Sequence, residues 1–128
     1  LDTSAVIALL NAEPEALAME AALAADKDRR ISAASLVETT MVASRWGDLA
    51  ATAGIDALLA ALEIEVAPFD VAQLALARQA FLKFGKGRGH PAQLNICDCF
   101  SYALAKSLDA PLLFKGKDFP HTDIAAAP

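Results

Sequence analysis

The sequence predicts an α/β fold, a three-layer sandwich in which a mainly parallel central sheet is flanked by helices. Three observations predict it. Short apolar segments with strand character, "RISAAS", "EIEVAPF" and "APLLF", alternate with longer helical stretches, the pattern of parallel strands joined by crossover helices. The 128 residues are 55% hydrophobic, which suits one compact core and leaves no material for a second domain, so residues 1–128 read as a single unit. The alanine-rich stretches imply helices packed closely on one another.

In chain order, "TSAVIALLN" after Asp2 gives a short helix, and Pro14 suits the first turn of a second, "PEALAMEAALAAD". "RISAAS" is expected as a strand leading into the helix "SLVETTMVASRWG", closed by Gly47, with Asp48 as the cap of the next helix. "EIEVAPF" is a second internal strand ending at Pro68, and Asp70 with Gln73 makes a capping-box pattern opening "VAQLALARQAFLKF". The polar loop "GKGRGHPAQ" precedes the helix containing Asp98, and "APLLF" is a last short strand. Leu17, Met41, Trp46 and Phe84 lie on helices and are expected in the core. The apolar-acid start "LDTSAVIALL" suggests that a strand begins upstream, so that the first strand is truncated.

A formal net charge of −5 and a pI near 4.8 argue against broad electrostatic adhesion to nucleic acid or anionic membranes. Any nucleic-acid contact then needs a local basic patch or a metal. Cys97 and Cys99 are the only cysteines, one residue apart, which excludes a disulfide framework and makes a reducing cytoplasm the expected compartment. They read as core thiols. No signal-peptide pattern or uninterrupted transmembrane stretch is present, so no membrane partner is expected.

Chemistry enters at "NICDCFSYALAK", where Asp98 is the sole charge between His90 and Lys106. Burying an ionised carboxylate costs several kcal/mol unless it is paired, hydrogen-bonded or metal-bound. Three other acids share this isolation: Glu38 is the only charge between Arg30 and Arg45, Asp2 heads an uncharged run to Ala12, and Asp118 follows the "PLLF" strand. Helix capping is the competing explanation, because Ser35 with Glu38 spells S-x-x-E and Asn95 with Asp98 is a weaker analogue. Asp2 is equally explained as a cap and Asp118 as a turn residue. In an α/β sheet, however, strand ends and helix starts converge where ligands bind. Four clustered carboxylates repel one another unless a cation neutralises them. Oxygen-only donors select magnesium or manganese over zinc, and His90, His121, Cys97 and Cys99 make no recognised zinc spacing. Such a pocket does phosphoryl chemistry with metal-activated water. Asp2 and Asp98 are the preferred direct ligands, with Glu38 and Asp118 completing the ring by contact, through water, or by orienting the nucleophile.

"LDTSAV", Glu38 in the helix after the second strand, "LNICD" with its N-x-x-D core, and "LLFKGKDF" occur in the order expected for a PIN domain. Over essentially the whole chain the sequence resembles the VapC-type toxins of toxin–antitoxin pairs. The resemblance implies a PIN-like fold and a magnesium- or manganese-dependent endoribonuclease with Asp2, Glu38, Asp98 and Asp118 as its acids. It further implies a homodimer held by a cognate antitoxin, which would reach operator DNA only through that antitoxin. Ser4 and Asn95 match polar positions that support the acidic site. Two departures stand out: Phe114, Lys115 and Gly116 occupy the place of a T-x-D motif, leaving Asp123 as a competitor to Asp118, and Gln93 stands where the family carries glycine.

Lys83, Lys86, Arg88 and His90 gather in "KFGKGRGHP", a loop whose three glycines suggest mobility and which would hold RNA phosphates near the metals; a solvated connection explains it equally. It is neither a Walker A loop nor a dinucleotide fingerprint. A haloacid-dehalogenase-type phosphatase would need an aspartate where Ser4 stands. A non-catalytic binding module that keeps the fold is the remaining rival.

Overall fold

The computed structural model describes residues 1–45 and 49–128. The expected roles of Trp46, Gly47 and Asp48 lie outside the described residues. The chain enters extended. The Leu1 nitrogen donates to the Arg30 carbonyl at 2.6 Å and the Asp2 nitrogen to the Leu113 carbonyl at 2.9 Å. Successive N–H groups of an extended chain point opposite ways, so residues 1–2 run between those two segments. Helix α1 (Thr3–Leu10) follows and buries Thr3, Ala5, Val6, Ala8 and Leu9, most of its circumference. Helix α2 (Ala16–Ala25) starts two residues after Pro14 and buries Ala16, Met19 and Leu23. Leu17 falls on another face of α2 and is 79% exposed, against its expected core placement.

Strand β1 (Arg30–Ser32) is shorter than expected because the Ser32 hydroxyl accepts from the Ala34 nitrogen at 3.2 Å, starting helix α3 (Ala33–Ala43) early. This local cap overrides the strand pattern of "RISAAS". It also places Ser35 and Glu38 inside the helix, so their S-x-x-E spacing forms no capping box. Met41, on the outer face of α3, is exposed rather than buried. Helix α4 (Leu49–Ala61) leads to strand β2 (Glu65–Ala67), which pairs in parallel with β1 in the register Arg30↔Glu65, Ile31↔Val66, Ser32↔Ala67. Among the described residues the regular sheet holds these two strands. "APLLF" contributes a single parallel bridge, Leu112↔Ala126, instead of a full strand. The parallel pairing and flanking helices fit the expected α/β class, with a smaller sheet.

Helix α5 (Val71–Phe84) is capped by Asp70, which accepts from the Gln73 nitrogen at 2.9 Å. The box is only half closed, since the buried Gln73 Oε1 has no partner. Helix α6 (Ile96–Leu108) closes both halves of its box between Asn95 and Asp98. The helices sort into two packed groups. One apolar cluster joins α1, α2, β1 and α4 through residues such as Val6, Leu9, Met19, Ile31 and Ile55; the other joins α5, α6 and the C-terminal segment through Ala80, Phe84, Leu94, Tyr102 and Phe119. Phe84 is in the core as expected, and so is Cys99. Among the described residues no helix is long and apolar enough to cross a membrane.

The loop between α5 and α6 is tied at its base. Gly85 and Leu94 bridge in parallel, with the Lys86 nitrogen donating to the Leu94 carbonyl at 2.8 Å and the Leu94 nitrogen to the Phe84 carbonyl at 2.9 Å. Gly85 is required by close approach: a Cβ there would lie 2.3 Å from the Phe81 carbonyl oxygen. Gly85→Ala is therefore expected to destabilise the protein by about 2 kcal/mol through overpacking, measured as a lower urea midpoint at unchanged slope.

Candidate active site

Asp2, Glu38 and Asp98 line one surface depression of about 320 Å³, together with Thr3, Ser4, Ile7, Glu13, Val42 and Lys115. Three elements deliver the acids. Asp2 is the N-cap of α1, Glu38 sits in the second turn of α3, and Asp98 is in the first turn of α6. Asp118 is exposed in the bend before the short turn Phe119–His121 and makes no side-chain cap there. It does not line the depression, yet its charge reaches Asp98.

Asp2 is 4% exposed. Its Oδ2 accepts from the Ser4 nitrogen at 3.0 Å and the Ser4 hydroxyl at 2.6 Å, and its Oδ1 from the Ser101 hydroxyl at 2.5 Å. Ser4 thus binds Asp2 through both its nitrogen and its hydroxyl, and the Lys115 nitrogen in turn donates to Ser4 Oγ at 2.9 Å. Ser101 escaped sequence reasoning because a serine in an apolar helix carries no mark of what it faces.

Asp98 meets its isolation partly through its own helix: its Oδ2 accepts from the Asn95 nitrogen at 3.0 Å, while Asn95 Oδ1 accepts from the Asp98 nitrogen at 2.9 Å. The cap and the acidic cluster are both present. Burial pushes the Asp98 carboxyl up to about 6, opposed by the Asn95 backbone bond and reinforced by the charges of Asp2, Asp118 and Glu38. Burial, then the neighbouring Glu38 carboxylate, pushes Cys97 up to about 12, so this thiol stays protonated beside the acids. Cys97 is half-buried at the site rather than a core thiol.

Asp123 is drawn off elsewhere. It accepts from Lys106 Nζ at 2.7 Å and the Tyr102 hydroxyl at 2.8 Å, and the lysine foremost holds it below the usual carboxylate range. It is absent from the charges that act on Asp98. Lys115, which lines the depression, is engaged by Glu13 and, at 3.3 Å, by Glu15. Among the described residues no salt bridge reaches Asp2, Glu38, Asp98 or Asp118.

The loop residues stand apart from the depression, which none of Lys83, Lys86, Arg88 and His90 lines. Lys83 lies over the Phe84 ring at 5.0 Å, and His90 packs edge-on against the same ring while its Nδ1 accepts from the Ala92 nitrogen at 3.1 Å. Lys86 and Arg88 point into solvent. Gln93 has φ +48°, in the left-handed region that glycine favours.

As a donor set, the acids fit a hard divalent cation: they are carboxylates only, without a neutralising side chain. As placed they are splayed, and among the described residues no three His, Cys, Asp or Glu groups converge tightly enough to hold one ion.

The chain belongs to the PIN domain family, whose model matches residues 1–125. Its relatives include three proteins of Mycobacterium tuberculosis. It is 46% identical over 127 residues to ribonuclease VapC28, covering 99% of this chain and 96% of the relative. It is 46% identical over 126 residues to ribonuclease VapC30 (98% and 95%), and 40% identical over 127 residues to ribonuclease VapC42 (99% and 97%).

Because folding raises the Asp98 pKa, the native state binds that proton more tightly than the unfolded chain. Its contribution to stability is complete below about pH 4, the unfolded value, and is lost as pH rises through about 6. In the presence of chelator, Asp98→Asn is expected to melt above the unsubstituted protein at pH 7.5, with the gap closing below about pH 4, in thermal scans across that range.

Proposed function

We propose that this chain is a metal-dependent endoribonuclease, the toxin of a toxin–antitoxin pair, that cleaves RNA by metal-activated water. The observation that carries the reading is the cluster of acids that no salt bridge reaches among the described residues, in a chain whose full-length relatives are named ribonucleases. A nucleic-acid phosphate approaching these acids meets mainly like charge, because Lys115 beside them is already engaged by Glu13 and Glu15, so substrate binding calls for the cation. Asp2 and Asp98 are the residues that would hold magnesium or manganese, with Glu38 and Asp118 closing the ring by contact or through water. Bound there, the ion supplies Lewis-acid charge against the phosphate and a water of lowered pKa.

The chain's own groups do the positioning. Ser4 fixes one oxygen of Asp2, the Asn95 backbone fixes one of Asp98, and the Cys97 thiol lies within electrostatic reach of Glu38. Glu38 faces the depression from a third element and is assigned the orientation of the attacking water. Lys86 and Arg88, free in solvent, are assigned longer-range phosphate contacts. A cognate antitoxin and a second copy of the chain are the proposed partners, with operator DNA contacted only through the antitoxin. Val37 and Met41, exposed beside Glu38, offer such a partner apolar surface.

The test is cleavage of a mixed fluorogenic RNA panel by antitoxin-free protein. Cutting is expected with magnesium or manganese, to stop with chelator, and to fall more than about 100-fold in Asp98→Asn, a larger loss than that of a supporting residue. A folded, metal-loaded protein that cuts nothing in the panel, and whose trapped cellular RNAs are bound intact, would replace the nuclease with a binding module. In the same assay Asp118→Asn is expected to cost about 10-fold or more, as the loss of a supporting residue does, whereas Asp123→Asn leaves the rate within about 2-fold and lowers the melting temperature by loosening Lys106 and Tyr102.

A further inference from the structure

Asp2 is held from behind by a short line of buried hydroxyls. Ser101 and Ser35 are both fully buried, their Oγ atoms are 3.1 Å apart, and Ser101 Oγ donates to Asp2 Oδ1. A serine has one proton. Ser101 spends its proton on Asp2, so Ser35 must donate to Ser101, and the line is directed from α3 through α6 to the acid. A carboxylate has about four lone-pair sites, two on each oxygen. Oδ2 gives both of its sites to Ser4, through the backbone nitrogen and the hydroxyl. Oδ1 gives one to Ser101 and keeps one.

We infer that Ser101 is a positioning residue for the cation site: it turns Asp2 so that the free lone pair of Oδ1 is the single atom offered to the metal, making Asp2 a one-oxygen ligand. The inference rests on the metal site proposed above. Ser35 acts one step further back, fixing the direction of the Ser101 proton. Thr3 and Thr39 both donate to the Ser35 carbonyl, at 3.0 and 2.8 Å, and so anchor the backbone from which Ser35 projects.

The experiment is manganese binding to the full chain, followed by electron paramagnetic resonance of the free ion, with melting temperatures recorded alongside. Alanine is a good helix former and smaller than serine, so Ser101→Ala and Ser35→Ala retain the helices. Ser101→Ala is expected to weaken manganese binding about 10-fold or more, the loss typical of a residue that orients a ligand. Ser35→Ala removes an equally buried hydroxyl but leaves the bond to Asp2, and is expected to change affinity less than about 3-fold, a fraction of that loss. Equal affinity in Ser101→Ala and the unsubstituted protein, or equal losses in the two variants tracking their melting temperatures, would overturn the inference while leaving the metal reading intact. A folded unsubstituted protein that binds manganese no better than Asp98→Asn would remove the metal reading and this inference together.

Discussion

Like charge brought together at the junction of three helices is the constraint from which the rest of this structure follows. Asp2, Glu38 and Asp98 come from α1, α3 and α6 to one depression, with Asp118 within electrostatic reach and no salt bridge to any of the four among the described residues. Such an arrangement opposes folding in the absence of a cation. The apolar clusters on either side, which bury residues such as Val6, Ile31, Ile55, Leu94 and Phe84, supply what offsets it.

What lets α1, α3 and α6 meet there is a run of small hydroxyl side chains in place of larger apolar ones. Thr3, Ser35, Thr39 and Ser101 are all buried and bonded to one another or to nearby backbone. They make a polar interior next to an apolar one. Each hydroxyl satisfies a neighbour, so burying them costs little, and Asp2 at the end of the line gains three donors.

The isolation of Asp98 and Glu38 in uncharged runs singled them out as candidates, because surface helices normally carry several charges, and the fold brings both to one depression. The parallel α/β class was legible from alternation alone. Strand lengths were not: a serine hydroxyl at position 32 decides where β1 ends, and hydrogen bonding at that scale leaves no periodic signal. Leu17 and Met41 looked like core because alanine-rich helices are apolar on every side, which erases the pattern that separates inside from outside. Ser101 and Ser35 were invisible for a related reason. Their contact depends on which atom stands opposite across 66 residues of chain, and that is a property of packing.

The contacts around Asp2 span nearly the whole sequence. Its oxygen is held by Ser101, its nitrogen by Leu113, and its neighbour Ser4 by the nitrogen of Lys115. Proteins are synthesised from the amino end. The first acid of the site is thus made well before its setting, which is complete only when residues about 110 positions later have left the ribosome. A growing chain carries the pieces of the site without the site, so whatever this pocket does is withheld until translation of the domain is nearly finished.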